Sequence, residues 1–221
     1  MDSCVTAALA ASETEAFALH FSYGQRTEAR ELEAARGVAD RLGLKQFLHL
    51  KMDIFRQIGG SALTDTTIAV PDASAAFRDH GIVEEHVPVT YVPFRNAHFL
   101  SAAVSWAEVL GATRVYIGAV EQDSSGYPDC RPAYYEAFQK VIRTGTREGN
   151  IDILTPLIAM NKAQIVRVGL ECGAPLDLTW SCYRADREAC GLCESCVLRL
   201  RAFTAAGVSD PIRYAAHPGG S

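Results

Sequence analysis

Four of the seven cysteines, Cys182, Cys190, Cys193 and Cys196, follow one another as Cys-x7-Cys-x2-Cys-x2-Cys near the end of the 221-residue chain. Two overlapping Cys-x2-Cys steps around Gly191 bring three thiolates to one point. A fourth sulfur from the other side of a short loop then completes the tetrahedron that structural Zn2+ requires. Two disulfides or an iron–sulfur cluster are the competing readings, because Cys-x2-Cys-x2-Cys also occurs in ferredoxins. A ferredoxin-type run closes with Cys-Pro shortly afterwards, and the VLRLR that follows Cys196, with Arg199 at its centre, holds neither residue, so zinc is the preferred reading. A site with four ligands has no open coordination position, and its expected task is to hold the end of the chain against the sheet.

The chain as a whole is 48% hydrophobic and 21% charged, ordinary for a soluble globular protein and long enough for one main core plus an appendage. Residues 1–178 are read as the main domain and residues 179–221 as the zinc-binding C-terminal element. The odd cysteine count and the lack of an apolar targeting segment imply a reducing compartment, so a cytoplasmic location is expected. The longest apolar stretch, residues 99–110, is too short for a bilayer and contains Ser101, Ser105 and Glu108. A formal charge of −5 and a pI near 5.7 argue against the broad basic face of a nucleic-acid partner.

Along the chain, strand and helix signals alternate. Residues 1–13 read as an alanine-rich buried helix, residues 15–22 as an inner strand ended by Tyr23 and Gly24, and residues 26–42 as a helix with Ala29, Leu32, Ala35, Val38, Ala39 and Leu42 close to one face. A second strand follows at residues 46–52, which begins the pattern of a parallel sheet covered by helices. Periodicity fails over residues 59–88, read as a lid on the substrate side. Residues 90–94 are expected to form a short strand, 95–110 a buried helix and 114–120 the best strand of the chain. The loop after that strand lies where ligands of open parallel sheets sit, beyond the strands' carboxyl ends. A helix is expected at 132–149, a strand at 151–157, a helix opened by an Asn161/Gln164 capping box and stopped at Gly173, and a last helix at 193–206. Residues 219–221 read as an unstructured end, and the six histidines form no short-range metal pattern.

Several separated stretches converge on one resemblance: FSYGQR (residues 21–26), YVPFRN (91–96), GAVEQDSSGYPDCR (118–131), TPL (155–157), NKAQIV (161–166) and TWSCY…CGLCESC. Together they resemble the QueC family, the 7-cyano-7-deazaguanine synthases, of the PP-loop or adenine-nucleotide alpha-hydrolase superfamily. The likeness covers nearly the whole chain, and the DxSGYPDCR run and the four-cysteine pattern are both specific. It implies an α/β fold, Rossmann-like, with a parallel sheet carrying helices on both faces. It also implies an ATP-dependent ligase that makes the nitrile 7-cyano-7-deazaguanine from 7-carboxy-7-deazaguanine and ammonia, in queuosine biosynthesis, with Mg2+ beside ATP and a homodimer as the family-like assembly. A carboxylate is a poor electrophile for ammonia, so the resemblance implies its adenylation with loss of pyrophosphate, capture by ammonia as an amide, and a second activation that removes the amide oxygen. The protein then has to hold phosphates, orient a planar base and neutralise developing charge.

The resemblance assigns residues by position. Asp2, Ser3, Tyr23, Gln25 and Arg26 fall on the nucleotide side. Arg95, Asn96, Asp123, Ser125, Gly126, Tyr127, Asp129, Arg131 and Lys162 fall on the substrate side. Gly126 and Pro128 would fix the loop's turn, Asp123 or Asp129 could meet ring N–H groups or Mg2+, and Arg131 could meet a carboxylate or phosphate as a fork. Taken alone this loop reads as a surface turn, and the matched motif reverses that reading. Cys130 invites a nucleophile role that adenylation chemistry does not need; Cys4 and Cys172 are read as core residues. No catalytic base is assigned.

The chain departs from the family at its start. The family holds ATP phosphates on a Ser-Gly-Gly-x-Asp-Ser loop between the first strand and first helix. Here Met1 takes the x position, Asp2 and Ser3 match the end of the motif, and the strand with Ser-Gly-Gly is absent. The expectation is a sequence shortened at an internal Met codon, which would leave two neighbouring strands unpaired. Two further readings remain: another PP-loop enzyme adenylating a different acceptor, and a non-catalytic zinc-binding homologue without the ATP loop.

Overall fold

The computed structural model describes residues 1–73, 87–121 and 127–215. The chain opens on α1 (Asp2–Glu13), whose buried face is Cys4, Val5, Thr6, Ala8 and Ala10. Strand β1 (Ala18–Ser22) leads through Gly24, at φ +84°, into α2 (Glu28–Arg41), which buries Ala34, Val38 and Ala39. Strand β2 (Phe47–Lys51) pairs parallel to β1, with His20 opposite His49, and the single turn α3 (Ile54–Ile58) follows. Helix α4 (Arg95–Leu110) precedes β3 (Arg114–Tyr116), which pairs parallel to β4 (Asp152–Leu154) across α5 (Pro132–Gly145). The chain closes with α6 (Lys162–Glu171) and α7 (Glu194–Ala206), packed on one another. Strands that pair in parallel across helical connections make this an α/β fold.

Local chemistry accounts for the boundaries. Asn161 caps α6 as expected: its side chain accepts from the Gln164 N–H, and the Gln164 side chain accepts from the Asn161 N–H, each at 2.9 Å. Pro132 opens α5, where its missing N–H has no intrahelical role. Residues 90–94 form turns rather than the expected strand. Proline at 88 and 93 removes two ladder donors, and the Tyr91 N–H turns back to the Pro88 carbonyl at 2.9 Å. The pairing of β3 also stops at Tyr116, although the Ile117 N–H still reaches the Leu154 carbonyl.

The described strands form two two-stranded ladders, β1–β2 and β3–β4, instead of one sheet. Between them lies an open slot of about 1,020 Å3, lined by helices α1, α2 and α4 and by consecutive residues of β1 and β3. Successive strand side chains point to opposite faces, so a lining of consecutive residues means that the backbone edges themselves border the slot. His20 lines it with a buried Nε2 that has no hydrogen-bond partner. Burial beside His49 and Arg36 pushes the His20 pKa down to about 4, so the ring is neutral at pH 7.

Candidate active site and metal centre

The sulfurs of Cys182, Cys190, Cys193 and Cys196 all lie within 4.8 Å of one another. Backbone N–H groups turn toward them: those of Arg184 and Cys190 donate to Cys182 Sγ at 3.4 Å, and those of Leu192 and Cys193 donate to Cys190 Sγ at 3.4 and 3.3 Å. Four soft donors converging at this spacing, with N–H groups stabilising thiolate charge, make a group that can hold a metal ion, and the donor set suits zinc. The turn is tied to its surroundings. The Ala73 N–H donates to the Leu192 carbonyl at 2.9 Å, Asp72 bridges Cys193, and the Arg184 guanidinium binds Asp72 at 2.6 Å and the Val70 carbonyl.

A polar cleft of about 210 Å3 lies beyond the carboxyl end of β1. Tyr23, Gln25, Arg26, Thr27, Glu31, Arg95, Tyr127, Trp180 and Tyr183 are among its walls, and it shares Tyr23, Glu31, Arg95 and Trp180 with the slot. Arg95 Nη1 donates to the Tyr23 hydroxyl at 3.1 Å, its guanidinium carbon lies 5.5 Å from the Tyr23 ring centroid, and its Nε is buried with no hydrogen-bond partner. Helix α4 presents this side chain from an N-terminus where Phe94 is held at φ +57°, a left-handed conformation that costs a bulky residue about 1–2 kcal/mol. Tyr127 shares a 2.8 Å hydrogen bond with Thr90, and burial pushes its phenol up to about 12. Glu31 lines the same cleft from α2; burial raises its pKa, against hydrogen bonds from Thr27 and Gln25 and the nearby Arg95 charge.

A second cluster forms at the N-terminus of α1. Lys162 pairs with Asp2 Oδ2, while Asp2 Oδ1 is buried without a hydrogen-bond partner. Gly118 presses on the same turn: a Cβ there would stand 2.8 Å from the Ser3 backbone nitrogen and 2.9 Å from the Asp2 carbonyl carbon. The loop after β3 thus reaches the helix start that the resemblance assigns to phosphate binding. A helix N-terminus with an unpaired buried carboxylate oxygen suits a bound group carrying both phosphate and a divalent cation.

The structure divides the expected site residues by what they touch. Tyr23, Gln25, Arg26, Arg95 and Tyr127 border the cleft, and Asp2, Ser3 and Lys162 gather at the start of α1. Arg26 also staples the following loop, donating to the carbonyls of Ala62, Ile68 and Asp65 at 2.7, 2.6 and 3.2 Å. Asn96 is buried against Asp129: its backbone N–H donates to Asp129 Oδ2 at 3.2 Å and its side-chain amide to the Asp129 carbonyl at 3.0 Å. Arg131 is exposed at the start of α5. Asp123, Ser125 and Gly126, the 74–86 part of the expected lid and the tail at 219–221 lie outside the described residues. Glu31 was not singled out in the sequence, and Trp180 and Tyr183 entered it only as part of the TWSCY stretch, with no role assigned. For Glu31 a signal existed: it stands three and seven residues before the buried Ala34 and Val38, an acidic side chain on an apolar helix face.

Comparison with known proteins adds a separate finding. The family model described as "Queuosine biosynthesis protein QueC" matches residues 1–207. A 7-cyano-7-deazaguanine synthase of Acidobacterium capsulatum is 70% identical over 215 residues, 97% of this chain and 93% of that protein. Its counterpart in Koribacter versatilis is 60% identical over 97% of this chain and 90% of that protein, and the one in Chlorobaculum tepidum 53% over 99% and 94%. With the family model spanning nearly all of a fold whose cysteine turn, cleft and helix start are already in place, the chain belongs to the QueC family.

Proposed function

We propose that this protein is an ATP-dependent carbon–nitrogen ligase that converts 7-carboxy-7-deazaguanine and ammonia into 7-cyano-7-deazaguanine. The 70% identity to a protein of that name over nearly the whole chain carries the reading, and the geometry supports it. The cleft beyond β1 offers aromatic walls and the Arg95 guanidinium for a planar anionic base. The start of α1, with Asp2, Ser3 and Lys162, would hold the phosphates of ATP and its Mg2+.

In the first step the substrate carboxylate attacks the α-phosphate of ATP and pyrophosphate leaves. Ammonia then displaces AMP to give the amide, releasing a proton. The amide oxygen takes a second adenylyl group from another ATP, whose pyrophosphate leaves, and loss of that AMP with the two N–H protons leaves the nitrile. Arg95 and Lys162 are placed to offset the negative charge that builds in these transfers, and the buried cleft limits water attack on the acyl adenylate. The four cysteines would hold structural zinc and fix the turn behind the cleft. A further strand pairing with β1 on one side and β3 on the other would fit the slot. A cytoplasmic homodimer completes the proposal.

The test uses zinc-loaded protein with 7-carboxy-7-deazaguanine, ammonium and Mg-ATP. Mass spectrometry should find the nitrile with AMP and pyrophosphate. A folded, zinc-bound protein that makes no nitrile overturns the proposal, and failure to bind Mg-ATP as well would favour a non-catalytic zinc-binding homologue.

A further inference from the structure

The mechanism above gives Glu31 no part, yet no acidic side chain is better placed in the cleft. It projects from the apolar face of α2, and both carboxylate oxygens are held. The Thr27 hydroxyl donates to Oε1 at 2.8 Å, and Gln25 Nε2 donates to Oε2 at 3.2 Å. Gln25 is itself fixed: it is 4% exposed, its Oε1 accepts from the Tyr23 N–H at 2.8 Å, and its Nε2 also reaches the Phe21 carbonyl at 3.3 Å. An ionised carboxylate has about four acceptor positions, and these two donors leave lone pairs turned to the cleft. Arg95 offers the opposite chemistry in the same space, with a buried Nε that has no partner.

A ligand complementary to this pair is anionic on one side and carries N–H donors on the other. At about 210 Å3 the cleft falls below the roughly 300–1,000 Å3 of sites that enclose drug-sized ligands, so it suits one fused ring system rather than a whole nucleotide. We propose that Glu31 is the specificity residue for the base, its carboxylate accepting from the ring N–H and exocyclic amine of a 2-aminopyrimidin-4-one edge, while Arg95 takes the carboxylate at the other side. Gln25 and Thr27 act as positioning residues that keep the Glu31 carboxylate aimed. A ring without the amine leaves the buried acceptor unmatched, which is how a hydrogen-bonding site rejects a near-isostere. The inference rests on the substrate reading given above.

The experiment compares 7-carboxy-7-deazaguanine with 7-carboxy-7-deazahypoxanthine, which lacks the exocyclic amine, in the zinc-loaded protein and in its Glu31→Gln and Glu31→Asp variants. Calorimetric binding and nitrile formation are both followed. The unmodified protein should prefer the amine-bearing base by about 10- to 100-fold. Glu31→Gln should reduce that preference to about 3-fold or less and raise KM for the base with KM for ATP unchanged, whereas Glu31→Asp should retain part of it. Melting temperature and zinc content identify any variant that misfolds, in which case the Glu31→Asp result decides. Nitrile formation with an undiminished preference in a folded Glu31→Gln protein overturns the role of Glu31 and leaves the substrate reading standing. No nitrile and no base binding in the unmodified protein overturns the substrate reading, and this inference with it.

Discussion

Asn96 and Asp129 form a two-point clasp between the start of α4 and the short 3-10 turn Pro128–Cys130. The Tyr135 hydroxyl also donates to the Asp129 carbonyl at 3.0 Å, so removing one donor does not orphan that oxygen. Asn96→Ala should therefore lower unfolding free energy by about 1–2 kcal/mol, read by urea denaturation. It should also weaken base binding, because Tyr127 sits at the end of the same turn. Gly118 is a harder constraint, since the atoms it would strike are backbone. Gly118→Ala should destabilise by about 1–3 kcal/mol and raise KM for ATP more than KM for the base, because the push falls on Asp2 and Ser3. Equal changes in the two KM values would argue against phosphate binding at that helix start.

At the scale of elements, Arg199 of α7 makes a two-pronged ion pair with Asp210 at 2.7 and 2.9 Å, the two side chains only 2% and 3% exposed, and the Tyr214 hydroxyl closes on Asp210 at 2.6 Å. Arg199→Ala would strand a buried carboxylate, an expected loss of about 3–5 kcal/mol. Limited proteolysis should then cut near residues 207–215 first. Elements whose ends carry their own chemistry were legible in the sequence: the capped α6, the α5 opened by proline and the cysteine turn. The 90–94 turn was not, because Val92 clusters with Tyr23, Phe55 and Leu63 without a ladder, and Pro93 with the turn back to Pro88 outweighs the β-branched content. Part of the candidate cleft's wall was legible through motif spacing, as with Arg95 and Tyr127. Glu31 was missed because a charged residue in an otherwise amphipathic helix reads as solvated until its neighbours on the helix face are compared.

For the whole molecule, the α/β alternation was readable but the division of the sheet was not, because strand pairing joins segments distant in sequence. Each of β1 and β3 has one paired edge and one edge on the slot. In a strand, successive N–H groups point to alternate sides. One alternate set of amides in β1 and β3 should therefore exchange with solvent deuterium faster than the paired set, as NMR exchange would record. Equal protection of the two sets would exclude open edges. Open edges of this kind are also pairing templates for other chains.

The antiparallel bridge from Asp72 to Cys193 and the Arg184 contacts make the cysteine turn a mooring for residues 59–73, the loop whose near end Arg26 staples beside the cleft. Metal occupancy thus has a reporter at a distance. As a chelator withdraws the metal, subtilisin, a protease that needs no Lys or Arg, should gain access to this loop and affinity for the base should fall while helical circular dichroism is still intact. The order of those three signals would show that the metal sets the geometry of the binding wall before it limits the survival of the fold.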